Sequence, residues 1–484
     1  MQNNEQNSHR FCLEILCTKL RRRSGTCNLL MALASYQDAR SPTELSESPL
    51  FHHQYGSITK VLSDLARDAE ERSSVLSLIQ SHSWSYYERE SVVAERIRLQ
   101  TDTTPYPKPH SPTLAKRTYI HVPNKVIKSD RGLSIGYEVS CINLSAEGKW
   151  SLPVSTQRVL DDETASERAL SQLKALFEHE DLGFSNKLVV NTLDSKYGNA
   201  AYLASAFGHD SLVNVVRGRY GIKVWTSDAE HDTGGAPRIY GEKFYLLNES
   251  RTKTYKHPKT KQPHEVYQRA ITELEAQQSI QLKGQTKKGR ALDIHVERYE
   301  DMRIRTKNGH DMKDKPLDVL HIRVLDAQTQ APLYKHDMFV LISGKRKNEV
   351  TTQEGYEDYR HRYDIEPYFR FAKQRLLFDK LQSPDVEHID NWLLLQQWVA
   401  WLLYVTSGEA TFKPKKWRRY LEENKNVQNQ DRLSMAQTHK AAQALFLTFD
   451  DEPFKPLKSK KGKPRKKGQK QTPRAKHPVV KKHT

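Results

Sequence analysis

The chain has 484 residues, 37% of them hydrophobic and 28% charged, with a formal net charge of +18. A chain of this length accommodates roughly two to four folding units. It contains no run of about 18 apolar residues, which excludes a conventional membrane span, and its start, "MQNNEQNSHRFCLEILC", lacks the basic-then-apolar order of a secretory signal, so a cytoplasmic protein is expected.

The positive charge is uneven. From Lys455 onward there are 13 Lys or Arg and no acid, which leaves 64 basic against 59 acidic residues in the remainder, a net of +5. The composition of 455–484 predicts a disordered basic tail, and counterion release gives such a tail a nonspecific attraction to phosphate. The four cysteines, Cys12, Cys17, Cys27 and Cys141, follow no zinc-ligand spacing and are expected to be reduced, buried thiols.

Residues 1–95 read as a helical N-terminal domain, with "CNLLMALASYQDA", "SITKVLSDLARDAEE" and "SSVLSLIQSHSW" separated by Ser, Pro and Gly; DNA contact and a plain apolar core are equally compatible with them. At "ERIRLQTDTTPYP" a β-like run is expected to end at Asp102, with an extended Pro-rich segment after it. "LSIGYEVSCINLS" and "KWSLPVST" form a hairpin around "AEGK", and "DDETASERALSQLKALFEHED" a helix. "KLVVNTLDSKYGNAAYLASAF" reads as a buried strand ending at Asp194 and then a helix, and "SLVNVVR" as a further strand. Residues 96–220 therefore predict an α/β sheet flanked by helices.

From 221 to 350 the texture is polar loops and β-like runs, a β-rich insertion with the basic stretches "RTKTYKHPKTK" and "SGKRKNE", in which DNA contact and a solvated face are both open. Helical period returns over 351–410, where "NWLLLQQWVAWLLYV" is expected to be a core helix because Gln396 and Gln397 interrupt it. A helical segment over 411–454 precedes the tail.

The stretch "YRHRYDIEPYFRFAK" carries the chemistry. In one continuous helix Tyr359, Arg362 and Lys373 would lie within about 40° of Glu366 around the axis, placing two phosphate-binding cations, a hydroxyl and a carboxylate on one face. A surface helix with ion pairs is the plainer alternative. Pro367 argues against continuity: it fits a helix start, so the helix is expected to begin near Glu366, with Tyr359 and Arg362 on a preceding turn. Two further carboxylates, Asp102 in "TDTTP" and Asp194 in "NTLDSKYG", follow apolar runs. Two or three carboxylates on rigid elements are what two-metal phosphoryl transfer requires, although each aspartate alone also fits a turn cap.

These residues resemble the DDE transposases of bacterial insertion sequences, in the subgroup marked by Y-x2-R-x3-E-x6-K, matched by Tyr359, Arg362, Glu366 and Lys373. Asp102 with Thr104 resembles the family's first D-x-T, Asp194 with Tyr197 its second aspartate and aromatic, and "GGAPRIYGEKF" a stretch found in some relatives. The resemblance covers about residues 95–410. It implies an RNase H-like mixed sheet with flanking helices, interrupted by the β-rich insertion. It further implies that Asp102, Asp194 and Glu366 are catalytic and hold two Mg²⁺ ions, with Mn²⁺ as a substitute, and that Tyr359, Arg362 and Lys373 bind DNA phosphates.

The implied activity is cut-and-paste transposition on double-stranded DNA, both terminal inverted repeats and target, by a homodimer associated with the bacterial nucleoid. Hairpin-forming relatives stack a flipped base on a tryptophan of the insertion; here its one tryptophan is Trp225, with Phe339 or Tyr334 as substitutes. The alternatives are a nuclease of the same fold without strand transfer and a recruited DNA-binding descendant.

Overall fold

The computed structural model describes residues 23–66, 96–122, 132–146, 150–227, 240–256, 262–286, 288–305, 314–413, 432–448 and 473–481, with residues 81, 84, 85, 87, 312 and 468. The first 22 residues, most of the third expected N-terminal helix, the start of "GGAPRIYGEKF" and most of the basic tail lie outside the described residues.

In chain order the elements are α1 (Arg23–Ser35), α2 (Gly56–Ala66), β1 (Arg96–Pro107), β2 (Thr118–His121), β3 (Leu133–Ala146), β4 (Trp150–Arg158), α3 (Ala165–Glu178), β5 (Leu188–Leu193), α4 (Ala200–Ser205) and β6 (Leu212–Arg217). There follow β7 (Lys223–Trp225), β8 (Lys243–Tyr245), β9 (Arg251–Lys256), β10 (Pro263–Gln268), β11 (Gln278–Gln285), β12 (Ala291–Met302), β13 (Leu317–Asp326) and β14 (Met338–Ser343). The chain then turns helical: α5 (Thr352–His361), α6 (Ile365–Arg375), α7 (Val386–Thr406) and α8 (Met435–Phe446). Antiparallel strands, a helix, then parallel strands, closed by a helix that carries a carboxylate, make this a mixed α/β fold of the RNase H-like kind.

The chain divides into two compact units, one comprising Met1–Val93, Asp102–Leu182 and Asp364–Thr484, the other Ala94–Thr101 and Gly183–Tyr363. In the first, β3 pairs antiparallel with β2 and β4 and lies beside the second half of β1. Gly136 permits that approach, since a Cβ there would stand 2.3 Å from the Tyr106 carbonyl oxygen. Helix α3 packs on β3, opened by a capping box in which Thr164 and Glu167 exchange hydrogen bonds. Helix α7 is buried almost throughout and packs against β4, α1, α2 and α8.

The two glutamines that interrupt the apolar run of α7 are satisfied in the core. Gln396 donates to the Leu376 carbonyl (2.7 Å), Gln397 to that of Val154 (3.1 Å), and Trp401 to that of Pro153 (2.8 Å). Among the described residues no helix is long and apolar enough to cross a membrane. The basic end is not structureless throughout, a departure from the sequence expectation. Within 473–481, His477 donates its amide to the Pro112 carbonyl and Val480 to that of Arg117, both at 2.8 Å.

In the second unit the strand order is β11-β12-β13-β14-β6-β5-β1, with β1, β5 and β6 parallel and the others antiparallel. The insertion thus returns to the sheet it left: β14 pairs with β6. Strand β5, "LVVNTL", is buried at every position, as befits a central parallel strand. Helix α5 lies on this sheet around Val190, Val215, Leu320, Ile342, Tyr356 and Tyr359. Gly355 makes the close packing possible, since a Cβ there would meet Ile342 and Leu320 methyls at 2.9 Å.

One expected boundary is corrected. Strand β1 does not end at Asp102 but runs on to Pro107. The β-branched Thr101, Thr103 and Thr104 favour extension, and the φ that a proline ring imposes is compatible with an extended segment at the half-buried Pro105.

Candidate catalytic site

In the first unit Asp102 is half-buried in β1, its Oδ1 accepting from the Thr103 amide at 2.7 Å, and Thr103 Oγ1 donates in turn to Glu138 at 2.8 Å. Cys141, fully buried on the neighbouring β3, reports on the surroundings. Burial pushes its thiol up to about 12; a hydrogen bond to Thr156 and the Lys373 ammonium draw it down, while the Asp102 carboxylate adds to the rise. Asp102 and Lys373 therefore act on the same buried spot.

Lys373 is itself held below the ordinary lysine range by burial, against the pull of Asp379. Glu366 is exposed in the first turn of α6, where the helix dipole favours a carboxylate. The chain does break where Pro367 requires it. Arg362–Asp364 form a 3₁₀ turn, and α6 starts at Ile365, so the proline falls in the first turn, where no amide donor is needed.

In the second unit Asp194 follows the last residue of β5 and opens the 3₁₀ turn Ser195–Tyr197, with Tyr197 donating to its carbonyl at 3.0 Å. Tyr359 is wholly buried, and its hydroxyl has no hydrogen-bond partner among the described residues. Burial pushes this phenol up to about 12. Arg362 and Arg217 draw it down, and Tyr363 and Asp194 push it further up. The Arg362 guanidinium lies 4.3 Å from the Tyr363 ring centroid and 5.7 Å from that of Tyr359. The structure thus brings Asp102, Lys373 and Glu366 into one unit, and Asp194, Tyr359 and Arg362 into the other.

Three features here were not found by sequence reasoning. Arg217 ends β6 beside the Asp194 turn, and Arg219 Nε donates to the Ser195 carbonyl at 2.9 Å; only the basic spacing of "VRGRY" hinted at them. Asp358, next to Tyr359 and wholly buried, pairs with Arg96 and, at 2.8 Å, with Arg98 of β1. A buried polar network underlies the strands: Thr101 donates to Asn191 (2.8 Å), Asn191 to the Tyr202 hydroxyl (3.2 Å) and Asn214 to the Tyr202 carbonyl (3.2 Å). Satisfied polar residues inside parallel strands fix register where an apolar set would slide.

Two expectations about the insertion change. In "SGKRKNE" each cation has an acid: Lys345 pairs with Asp210 (2.5 Å), Arg346 with Glu349 (2.6 Å) and the buried Lys347 with Asp318 (2.6 Å), so this loop is structural. Phe339 is buried and stacked on His321 at 5.0 Å, which removes it as a platform for a flipped base. Tyr334 is exposed. Trp225 is half-buried, 5.8 Å from Tyr240, and is held by backbone bonds to Arg303.

A family profile described as "DDE superfamily endonuclease" matches residues 13–287, more than half of the chain. The chain belongs to this family. The matched stretch contains Asp102 and Asp194 and ends before Glu366. No curated protein sequence matches the chain. As a DDE endonuclease it is a nuclease-type enzyme with DNA as substrate, and such enzymes use divalent metal ions.

The acids present fit such an ion. All three offer hard carboxylate oxygens, and neither Asp194 nor Glu366 is committed to an ion pair among the described residues. No three His, Cys, Asp or Glu side chains among the described residues form a ready-made cage. Mg²⁺ needs none, being held ordinarily by one or two carboxylates with water and substrate phosphates.

Proposed function

We propose that this DDE endonuclease is a cut-and-paste transposase that cleaves the ends of its own insertion element and joins the freed 3′-OH to target DNA. The observation that carries the reading is the set of acids: the family match takes in Asp102 and Asp194, and Glu366 stands exposed in the first turn of α6.

In this reading Asp102, Asp194 and Glu366 hold two Mg²⁺ ions, or Mn²⁺ in their place. Bound there, the ions supply Lewis-acid stabilisation of the attacking and leaving oxygens. Arg362 offers a phosphate its planar fork, stiffened by stacking on Tyr363, and Lys373 a point charge whose partial burial raises its preference for an anion. Tyr359 contributes a hydroxyl with its hydrogen-bonding capacity unused. Cleavage is in-line: water oxygen forms a bond to phosphorus as the bond to the 3′-oxygen breaks, leaving a 5′-phosphate and a 3′-OH. Joining repeats the displacement with that 3′-OH as nucleophile. The active form is a homodimer holding two inverted repeats.

The test uses purified protein and a plasmid bearing the gene with its native flanks, incubated with Mg²⁺. Wild type excises the element at both flanks and inserts it elsewhere. Glu366→Gln binds the ends but neither cuts nor joins, and a variant that still cuts removes Glu366 from the mechanism. Wild-type cutting without any joined product refutes transposition in favour of a nuclease.

A further inference from the structure

The hairpin of β9 and β10 stands apart from the sheet of its unit. It is a two-stranded ribbon paired from Arg251↔Gln268 to Lys256↔Pro263, every residue of β9 is exposed, and no third strand joins it among the described residues. A lone two-stranded ribbon is marginal in water and gains most from a partner. Alternation assigns Arg251, Lys253 and Tyr255, opposite Gln268, Val266 and His264, to one face. Its one acid, Glu265, lies opposite Thr254 on the other face, with Thr252 and Lys256.

The first face is built rather than merely solvated. Buried Gln268 accepts from Arg251 Nε at 2.9 Å and donates its own amide hydrogen to the Tyr255 hydroxyl at 2.9 Å, so that hydroxyl accepts in this bond and keeps its own hydrogen to donate. The Lys253 ammonium lies 5.2 Å from the Tyr255 ring centroid, and the Arg251 guanidinium lies 5.6 Å from that of Tyr220. None of Arg251, Lys253 or Lys256 is ion-paired among the described residues, unlike the cations of "SGKRKNE". Residues 251–261 contain five Lys or Arg and no acid.

We propose that the Arg251–Lys253–Tyr255 face is a docking surface for the backbone of duplex DNA, outside the catalytic acids. Three hydrogen-bond donors, two of them cationic, recur on it about every 6.8 Å, close to the roughly 7 Å between neighbouring phosphates of one DNA strand once its winding is added to the roughly 3.4 Å axial rise. The face is therefore commensurate with successive phosphates and presents no competing carboxylate. This inference rests on the reading that the protein acts on DNA, and its test separates the two.

Binding of the full chain to a 40-base-pair duplex is followed by fluorescence anisotropy without Mg²⁺ over a range of salt. Arg251→Ala/Lys253→Ala removes two phosphate contacts and lowers the slope of log K against log salt by about 1.8. Lys256→Ala, which removes a charge from the opposite face, leaves the slope unchanged, and Arg251→Lys/Lys253→Arg, which keeps both charges, restores most of it. An unchanged slope in the double alanine variant overturns the docking surface while wild-type binding stands. Equal slope losses per charge in Lys256→Ala and the double variant also overturn it, since the ribbon is then only a polycation. Absence of wild-type binding to any duplex overturns the DNA reading itself. The residues are exposed, and an unchanged circular dichroism melt establishes that the variants are folded.

Discussion

Neutralising Asp358 tests how α5, and with it Tyr359, is held to β1. Asp358 is wholly buried between Arg96 and Arg98, and burial holds its carboxyl above the ordinary carboxylate range although both arginines pull it down. The triad is thus no net source of stability, but its parts depend on one another. Removing one member of a buried pair costs about 3–5 kcal/mol, because the opposite charge is left without compensation. Two features place Asp358→Asn at the low end. Arg96 keeps Glu354 at 2.7 Å, and the Arg98 side chain, 39% exposed, can turn to water.

The expected loss is about 3 kcal/mol, or roughly 6–12 °C in melting temperature for a unit of this size. Urea unfolding at pH 7.5, followed by tryptophan fluorescence and circular dichroism, measures it. The sign with pH follows from the raised pKa. As pH falls, the folded wild type takes up a proton at Asp358 before the unfolded chain does and is stabilised, a gain the amide lacks, so the difference between the two proteins widens in acid. A loss under about 1 kcal/mol at pH 7.5 refutes the reasoning and leaves the apolar contacts around Tyr356 as the attachment of α5.

Tyr359→Phe removes a buried hydroxyl that has no partner among the described residues, so it leaves stability within about 1 kcal/mol of wild type or raises it, while DNA cleavage falls. A loss above about 2 kcal/mol would assign the hydroxyl a structural partner instead. His321 sits between Glu297 (2.9 Å) and Asp337 (2.8 Å); burial pulls its pKa down, and the two carboxylates more than reverse this. Its stabilising contribution is therefore full below about pH 6.5 and lost as pH rises through the folded value, so the melting temperature falls over that window in wild type and stays flatter in His321→Gln. Deleting residues 455–484 removes 13 basic residues and flattens the salt dependence of DNA binding, and it also lowers the melting temperature, because His477 and Val480 are bonded to Pro112 and Arg117. An unchanged salt slope removes the tail from DNA binding.

What the sequence disclosed was whatever depends on local pattern. The alternation in "LSIGYEVSC", the apolar run before Asp194 and the break demanded by Pro367 each reappear as an element in its expected place, because propensity and burial agree there. The end of β1 differs from the sequence reading since prolines usually stop a ladder, whereas Pro105 lies within the strand. Nothing local could reveal the partners of the insertion's charges. The cations of "SGKRKNE" and those of β9 look alike as text, yet the first are neutralised by acids brought from elsewhere by folding and the second are not. Asp358 was hidden for the same reason: its partners lie 260 and 262 positions away.

That last separation bears on synthesis. At roughly 5–20 residues per second, a ribosome needs on the order of 13–50 s to pass from Arg96 to Asp358. For the later part of that interval, once Asp194 has been added, the nascent chain holds Asp102 and Asp194 but neither the helix that completes the second unit nor Glu366. Translation order thus works as a delay, and a chain terminated between β10 and α6 carries the basic ribbon without the third acid. On the proposed reading such a fragment has the residues of the backbone-docking face but not the complete set of acids needed to cut.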